Sequence, residues 1–394
     1  QASSAGLSPR DVAMHVALPE FDGRLISVPI SFKDEGNLNQ TIGAELRRNV
    51  PLPDRVEQVA RLASSWCTLR RTPNNEKRIA ILFNNYPTRN ARVGNGVGLD
   101  TPESVVRILK SLSDAGYDVG EIPETGDELI FALLAGCTQD DEFQLPENLE
   151  ATPHKLAPEA YRERFEKIPA TRRKEMAAQW GEPPGEYMMA ASGMAIPGLR
   201  LGNIFIGIQP SRGFGVDTNA IYHSPDLPPT HFYLGYYQWV LETFGAHAVA
   251  HVGKHGNLEW LPGKGLGISE SCFPEIALGS VPNIYPYIIN NPGEGTQAKR
   301  RSHALIVDHM IPAMTRAEAY GDLVKLEHLA DEYADASVLD PSKCPLISEK
   351  IIRLLDESKI YRDLAYEKPP SEDEVEVFIE DFDGYLCEIK ESQI

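Results

Sequence analysis

The chain has 394 residues, 42% of them hydrophobic and 24% charged, and a formal net charge of -19. This composition is ordinary for a globular protein of roughly two or three domains. The acid excess disfavours nucleic acid and anionic membranes as partners. No apolar run approaches the about twenty residues that a transmembrane helix needs, so we expect no membrane span.

The five cysteines are scattered along the chain, and no two of them form a CxxC pair. That pattern fits a reducing compartment, so we expect a cytoplasmic protein. The sequence begins with Gln1 rather than methionine. We therefore expect it to be a piece of a longer polypeptide.

The first 75 residues predict an N-terminal segment, with an irregular strand at 25–30 and a helix at 53–69. Residues 77–83 begin with charge and continue as an apolar run, which predicts a buried parallel strand. A loop then leads to a helix at 101–115, with Thr101 as its N-cap and Pro102 in its first turn. Strand, loop and capped helix make a βα unit.

Residues 76–315 predict an α/β core with a helical insertion at 150–185, whose charged stretch 158–180 is typical of a surface helix. Pro286 predicts that the last strand is irregular or lies at an edge. The remaining core elements expected are a helix at 127–135, strands at 201–208, 246–251 and 283–289, and an aromatic helix at 230–244.

Residues 316–394 predict a mostly helical C-terminal part, with helices at 317–333, 342–355 and 371–390. Strands that alternate with helices in the preceding core favour parallel pairing. The predicted fold class is therefore α/β: mostly parallel sheets flanked by helices in Rossmann-like layers, followed by the helical part, in a multi-domain fragment.

The densest chemistry lies in residues 251–264, HVGKHGNLEWLPGK, which hold two histidines and one glutamate among glycines and a proline. Glycine and proline predict a loop, and an apolar strand leads into it. Imidazole and carboxylate groups can bind a divalent metal or move a proton. Leu258 and Trp260 flank Glu259, so burial would raise its pKa and suit it to accept a proton. Alternatively, Glu259 caps a helix or forms a salt bridge.

Two stretches resemble nucleotide-binding motifs but do not match them in full. Residues 94–98 read GNGVG after a strand and before a helix, but the spacing differs from a dinucleotide fingerprint, and a loop that approaches a flat ligand fits better. Residues 256–264 do not match a Walker A motif, because Gly265 stands where Ser or Thr is required. If the process consumes ATP, another chain must hydrolyse it.

Two further clusters each have two interpretations. Residues 290–301, NNPGEGTQAKRR, are locally basic and could meet an acidic substrate, or could be an ordinary surface turn. The aromatic helix could line a planar ligand or simply pack in the core. Its candidates are His231, Tyr233, Tyr236, Tyr237 and Trp239.

Taken together, residues 81–99, 204–215, 248–267 and 282–301 resemble the large subunit of the ATP-dependent tetrapyrrole chelatases. That family includes the magnesium-chelatase H subunit and the CobN-type subunit of cobaltochelatase. The phrases HVGKHGNLEWLPGKG, PNIYPYIINNPGEGTQAKRR and GLDTPESV are closer to the cobalt branch. The resemblance spans nearly the whole chain and implies that it is a central part of a longer subunit.

The resemblance implies insertion of Co²⁺, as substrate metal, into the corrin precursor hydrogenobyrinic acid a,c-diamide during cobalamin biosynthesis. ATP and Mg²⁺ would be used by two partners, an AAA+ ATPase subunit and a subunit with an integrin-type domain. No bound nucleotide is expected on this chain.

The resemblance and the chemistry of insertion also imply residue roles. Glu259 would be the principal proton acceptor, His255 and His251 would deliver the metal, and all three would be transient Co²⁺ ligands. The candidates for holding the ring are Asn84, Asn85, Arg89, Asn95, Gln209, His231, Tyr236, Asn290, Asn291, Glu294, Lys299 and Arg300.

Two alternatives remain open at this point. The chain could belong to a chelatase that inserts magnesium or another metal into a porphyrin. It could also be a non-catalytic fragment that only binds the ring or serves as a scaffold for the ATPase subunits.

Overall fold

The computed structural model describes residues 7–33, 36–85, 93–94, 99–140, 143–213, 224–253, 256–288, 292–309, 322–362, 364, 366 and 368–392. The chain divides into two compact units, Gln1–Met310 and Ile311–Ile394. The predicted segment 1–75 and the predicted core lie in the same unit. The predicted boundary near residue 315 lies outside the described residues.

The first unit is built on a six-stranded sheet. Its strands are β5 Ile79–Phe83, β9 Gly198–Leu201, β10 Ile204–Ile208, β11 Ala248–Val252, β12 Asn283–Ile288 and β13 Leu305–His309. Their order across the sheet is β13-β12-β11-β5-β10-β9. Neighbouring strands are parallel, except that β9 pairs antiparallel with β10. The predicted α/β class with a mostly parallel sheet is thus confirmed.

The two faces of this sheet carry separate cores because side chains alternate along each strand. Ile79, Ile81 and Phe83 face the helices Thr101–Asp114 and Gly126–Leu134. Ala80 and Leu82 face the aromatic helix, which is α-helical over His231–Gln238 and π-helical over Trp239–Thr243. Helices on both faces explain why β5 and β10 are apolar at every position.

Smaller elements surround this sheet. The short strands are β1 Ser31–Lys33, β2 Asn37–Asn39, β3 Ala44–Leu46, β4 Asn49–Pro51, β6 Lys155–Leu156, β7 Met189–Ala190 and β8 Gly193–Ala195. The other helices of the unit are Pro9–Val12, Ala13–Ala17 (π), Leu18–Phe21, Pro53–Arg71, Pro146–Ala151, Pro158–Phe165, Ala170–Trp180, Phe273–Leu278 and Pro292–Ser302, with 3₁₀ turns at Asn74–Glu76 and Leu258–Trp260. The strand predicted at 25–30 is wrong, since regular pairing begins only at Ser31.

Three local predictions are corrected. The strand predicted at 201–208 is a hairpin, in which Gly202 takes a left-handed turn conformation between β9 and β10. The cap of the helix at Thr101–Asp114 is Asp100, whose carboxylate accepts from the Glu103 N–H, while Thr101 is buried. β12 lies inside the sheet, between β11 and β13, and not at its edge. Its pairing with β11 ends at Ile284, before Pro286, so the missing N–H of Pro286 removes no hydrogen bond to β11.

The charged stretch 158–180 is more than a surface helix. It forms the helices Pro158–Phe165 and Ala170–Trp180, which bury Tyr161, Phe165 and Met176 in the core under the aromatic helix. These three apolar residues are widely spaced among charged ones, so the sequence pattern did not indicate a buried helix face.

The second unit is helical, as predicted. Its helices are Asp322–Leu339, Cys344–Ser358 and Val375–Ser392, with 3₁₀ turns at Pro341–Lys343, Ile360–Arg362 and Glu372–Glu374. Its core packs Ile351 and Leu355 against Phe378 and Phe382. In the part of the chain that the structure describes, no helix is long and apolar enough to cross a membrane.

Candidate active site

Three neighbouring parallel strands end at the same edge of the sheet. Phe83 of β5 is in register with Ile208 of β10 and with Val252 of β11. The residues that follow, Asn84 and Gln209, are therefore brought beside the loop that begins at Gly253. Carboxyl ends of parallel strands are where α/β proteins place their ligands.

His251 lies at the end of β11 with both ring nitrogens engaged. Nδ1 lies 2.8 Å from Oδ1 of Asn283, and Nε2 lies 2.8 Å from the hydroxyl of Tyr237. The Asn283 amide nitrogen donates to Ser302, so its oxygen faces the imidazole and Nδ1 is the donor. Burial lowers the pKa of His251 to about 4, and the ring is held neutral.

The loop after β11 is fixed by side chains from other strands. The Gly256 N–H donates to the Tyr285 hydroxyl at 2.6 Å, and the Asn257 N–H donates to Oε1 of Gln209 at 3.0 Å. Gln209 also donates to the Tyr237 hydroxyl, which joins the loop to His251. The Asn257 side chain accepts from Tyr233 at 2.7 Å. The turn before Glu259 is thus held by a buried polar network.

Glu259 sits in the 3₁₀ turn Leu258–Trp260 and is 3% exposed. Burial raises the pKa of its carboxyl to about 7. Its Oε1 has no hydrogen-bond partner among the described residues. A buried oxygen without a donor is costly, so this atom is suited to meet a proton or a donor from a ligand. Among the described residues, no ion pair includes Glu259, and Asn257 rather than Glu259 occupies the cap position of this 3₁₀ turn.

Arg301 is the site residue that the sequence interpretation missed. Its buried guanidinium donates to the carbonyls of Glu259, of Leu261 at 2.6 Å and of Lys264 at 3.0 Å. It was visible only as one of three adjacent basic residues, and nothing in the pattern distinguished it from Arg300.

Asn84 offers a second buried acceptor at the same edge. Its amide nitrogen donates to Gly253 O at 3.0 Å and to the Tyr285 hydroxyl at 3.2 Å. Its Oδ1 has no partner in the described part of the chain. A Cβ at Gly256 would lie 3.1 Å from this oxygen and 2.9 Å from Oε1 of Gln209. Glycine at 256 therefore lets the loop backbone approach both amides closely.

Other predicted ring-binding residues are placed away from this network or have protein partners. Arg300 forms a bidentate pair with Glu20, both bonds at 2.8 Å. His231, the first residue of the aromatic helix, is buried between the Tyr161 hydroxyl and Gly181 O. Tyr236 is buried beside the backbone of Gly207.

The remaining described candidates lie nearer the loop. Glu294 accepts from the indole N–H of Trp260 at 2.6 Å, and Lys299 is half-buried on the same helix, Pro292–Ser302. Asn85 is buried and bridges to Val93. His255, Arg89, Asn95, Asn290 and Asn291 lie outside the described residues, as does most of the glycine-rich stretch 94–98.

The aromatic helix packs in the core, which is the second of its two interpretations, and its role in lining a planar ligand stays a prediction. All five of its candidate side chains are buried in the core. Tyr233 and Tyr237 stack with ring centroids 5.3 Å apart, and their hydroxyls reach Asn257 and His251. In the described ranges, which omit His255, no group of three or more His, Cys, Asp or Glu is placed to hold a metal ion.

Comparison with known proteins extends over the whole chain. The family model described as CobN/Magnesium Chelatase matches residues 1–394. The aerobic cobaltochelatase subunit CobN of Pseudomonas aeruginosa is 46% identical over 389 residues, covering 99% of this chain and 31% of that protein. The magnesium-chelatase H subunit of Chlorobaculum parvum is 33% identical over 352 residues, covering 88% of this chain and 26% of that protein.

A solved structure agrees with these relatives. The catalytic subunit of cobaltochelatase from Mycobacterium tuberculosis superposes with a TM-score of 0.69 at 46% identity, covering 99% of this chain and 32% of that chain. The chain therefore spans about a third of the length of the relatives it matches. With the family model matched from end to end, the chain belongs to the CobN/magnesium chelatase family.

Proposed function

We propose that this chain carries the tetrapyrrole-binding and proton-accepting site of a CobN-type cobaltochelatase subunit. The reaction is insertion of Co²⁺ into hydrogenobyrinic acid a,c-diamide. The observation that carries the proposal is Glu259, a buried carboxyl at the carboxyl edge of the sheet with a pKa raised to about 7, whose Oε1 has no hydrogen-bond partner among the described residues.

Each inner N–H that the metal replaces in the ring releases a proton. A carboxyl with a pKa near 7 is ionised in part at neutral pH and gains a proton readily, which is the property a general base needs. Tyr233, Tyr237 and Leu258 are buried, and the two tyrosines lie close enough to interact with the charge of Glu259. In a dry site the incoming dication sheds water, and its attraction to the carboxylate is strengthened.

In this proposal Glu259 and His255 are the transient metal ligands. His251 can join them only after Tyr237 releases Nε2, because that nitrogen already accepts the Tyr237 hydroxyl. Until then His251 orients Tyr237. Weak or conditional ligands suit a site that must give the metal up to the ring.

Two observations favour the cobalt branch and its division of labour. Identity to the CobN relative is 46%, against 33% for the magnesium-chelatase relative. The sequence around Gly256–Lys264 departs from a Walker A motif. ATP hydrolysis is therefore proposed for the partners, an AAA+ ATPase subunit and an integrin-domain subunit, in the cytoplasm.

The test uses the full-length subunit with its ATPase partners, ATP, Co²⁺ and the free-base corrin. Glu259→Gln keeps the shape and removes the proton-accepting charge. We expect insertion to fall by about 100-fold or more while ring binding, followed by fluorescence quenching, is retained. The matched control is Glu163→Gln, an exposed glutamate on the helix Pro158–Phe165, which should leave both unchanged.

Parental turnover by Glu259→Gln would remove Glu259 from the mechanism. Tighter binding and faster metallation of a porphyrin than of the corrin would move the chain to the magnesium branch instead. Ring binding without metallation in the complete, partner-containing system would support a purely binding role.

A further inference from the structure

We propose that Arg301 is a positioning residue, whose guanidinium fixes the loop 259–264 so that the Glu259 carboxyl stays aimed at the reacting ring. This inference deepens the proposed function and depends on Glu259 being the proton acceptor. It rests on the bonding of Arg301 and on how its helix meets the loop.

Arg301 is only 6% exposed, and its guanidinium donates to the backbone of one loop. Nη1 donates to Glu259 O, Nη2 to Leu261 O at 2.6 Å, and Nε to Lys264 O at 3.0 Å. Three bonds from one rigid planar group to three carbonyls fix both the position and the direction of the loop. Lysine, with a single rotatable ammonium, cannot span them.

The buried charge itself is unusual. Among the described residues, Arg301 has no carboxylate at ion-pair distance, whereas its neighbour Arg300 pairs with Glu20. Burying a cation against dipoles alone is unfavourable, so stability is a poor explanation for it. Its charge and that of the Glu259 side chain nevertheless act on each other, since the two groups lie close in the same buried region.

The same helix meets the loop a second time. At its first turn, Glu294 accepts from the Trp260 indole at 2.6 Å, and at its last turn Arg301 donates to the carbonyls. One of the Arg301 bonds is to the carbonyl of Glu259 itself, and the Glu294 bond is to the next residue, Trp260. The two ends of helix Pro292–Ser302 therefore both hold the turn that carries the carboxyl, and the attachment through Arg301 is the buried one.

The test compares Arg301→Met and Arg301→Lys with the matched control Arg107→Met, in the full-length subunit with its ATPase partners. Arg107 is an exposed arginine on the helix Thr101–Asp114. We expect Arg301→Met to lower kcat by about 100-fold with the ring dissociation constant changed by less than about threefold. Arg301→Lys should recover about a tenth of parental kcat, because one donor restores part of the alignment. Arg107→Met should keep kcat within about threefold of the parent.

A second measurement does not depend on turnover. Backbone amide exchange of peptides covering 258–264 should speed up in Arg301→Met and stay parental in Arg107→Met, with exchange in β5 and β10 unchanged in both. Parental kcat and parental exchange in Arg301→Met would overturn the proposal, as would loss of ring binding together with faster exchange throughout the sheet. Should Arg301→Met fail to fold, Arg301→Lys carries the same two readouts.

These outcomes separate the two proposals. Parental turnover by Glu259→Gln overturns the proposed function, whatever the Arg301 variants do. Unchanged loop exchange and kcat in both Arg301 variants, with Glu259→Gln inactive, overturns only the role of Arg301.

Discussion

His251 and Asn283 lie on the neighbouring parallel strands β11 and β12, and the imidazole Nδ1–H donates to the Asn283 oxygen at 2.8 Å. This bond fixes the tautomer and leaves Nε2 as an acceptor for Tyr237. The histidine that the sequence singled out as a metal ligand is thereby part of the scaffold beneath the Glu259 loop. Its ligand role remains a proposal that requires Tyr237 to move.

Neutral, buried His251 should make the chain less stable in acid. Its pKa is lowered to about 4 in the folded state, against an ordinary value of 6.5, so its contribution is complete above pH 6.5 and is lost as pH falls through that window to about 4. The free energy of unfolding of the parent, relative to that of His251→Gln, should fall by about 3 kcal/mol as pH is lowered through this window. Urea unfolding at several pH values measures it, and a pH-independent difference would contradict the buried neutral ring.

Glu259 should change the stability of the chain with pH in the opposite direction. Its folded pKa of about 7 is raised above the ordinary 4.5, so its contribution is complete below pH 4.5 and is lost as pH rises to about 7. Glutamine does not titrate. Glu259→Gln should therefore gain about 3 kcal/mol relative to the parent over this range. The same unfolding series in Glu163→Gln should show no such change, and a flat curve for Glu259→Gln would mean that the carboxyl is not buried as described.

The rate of metal insertion should follow the ionisation of Glu259. A proton acceptor works only when ionised, so kcat/KM for the ring should rise with pH through about 7 and level off above it. Initial rates at ring concentrations well below KM, with metal and ATP saturating, measure this, and the ATPase activity of the partners is recorded as the control. A rate that stays constant from pH 6 to pH 8, a span of about two units around that pKa, would argue against Glu259 as the limiting base.

Tyr237→Phe should weaken the scaffold. The hydroxyl contacts Nε2 of His251 and accepts from Gln209, and both groups would be left unpaired in a buried site. We expect a loss of about 1–3 kcal/mol in unfolding free energy. Tyr117→Phe is the control: this half-buried hydroxyl has a 3.4 Å contact with Lys77, so its removal should cost less than about 0.5 kcal/mol. Equal losses of unfolding free energy in the two variants would contradict the hydrogen-bond network around Tyr237.

Gly256→Ala should disturb the site, while Gly265→Ala in the same loop should not. A methyl group at 256 would lie 2.9 Å from Gln209 Oε1 and 3.1 Å from Asn84 Oδ1, whereas nothing lies within 4 Å of one at 265. We expect Gly256→Ala to cost about 1–3 kcal/mol and to lower insertion, with parental behaviour for Gly265→Ala. Thermal unfolding and insertion assays on both variants test this. Equal effects of the two variants would contradict the close approach of Gly256 to the amides.

The sequence predicted most elements because their signals are local. Apolar runs marked β5 and β11, and the end of the aromatic helix followed from Gly245. Local reasoning failed where the tertiary structure decided the outcome. A single apolar run concealed the hairpin of β9 and β10, and pairing with β13 placed β12 inside the sheet despite Pro286. β13 itself, at Leu305–His309, carried too short a signal to be predicted.

By itself, the sequence determined the fold class and the family and singled out Glu259 as a candidate, since motif order and flanking apolar residues are properties of the chain. The tertiary structure alone decided which partners those residues have. Burial and the register of parallel strands bring His251 to Asn283 and turn Arg301 toward the loop, while adjacent Arg300 meets Glu20. Such pairings join residues far apart in the chain, and no local pattern encodes a distance across the sheet.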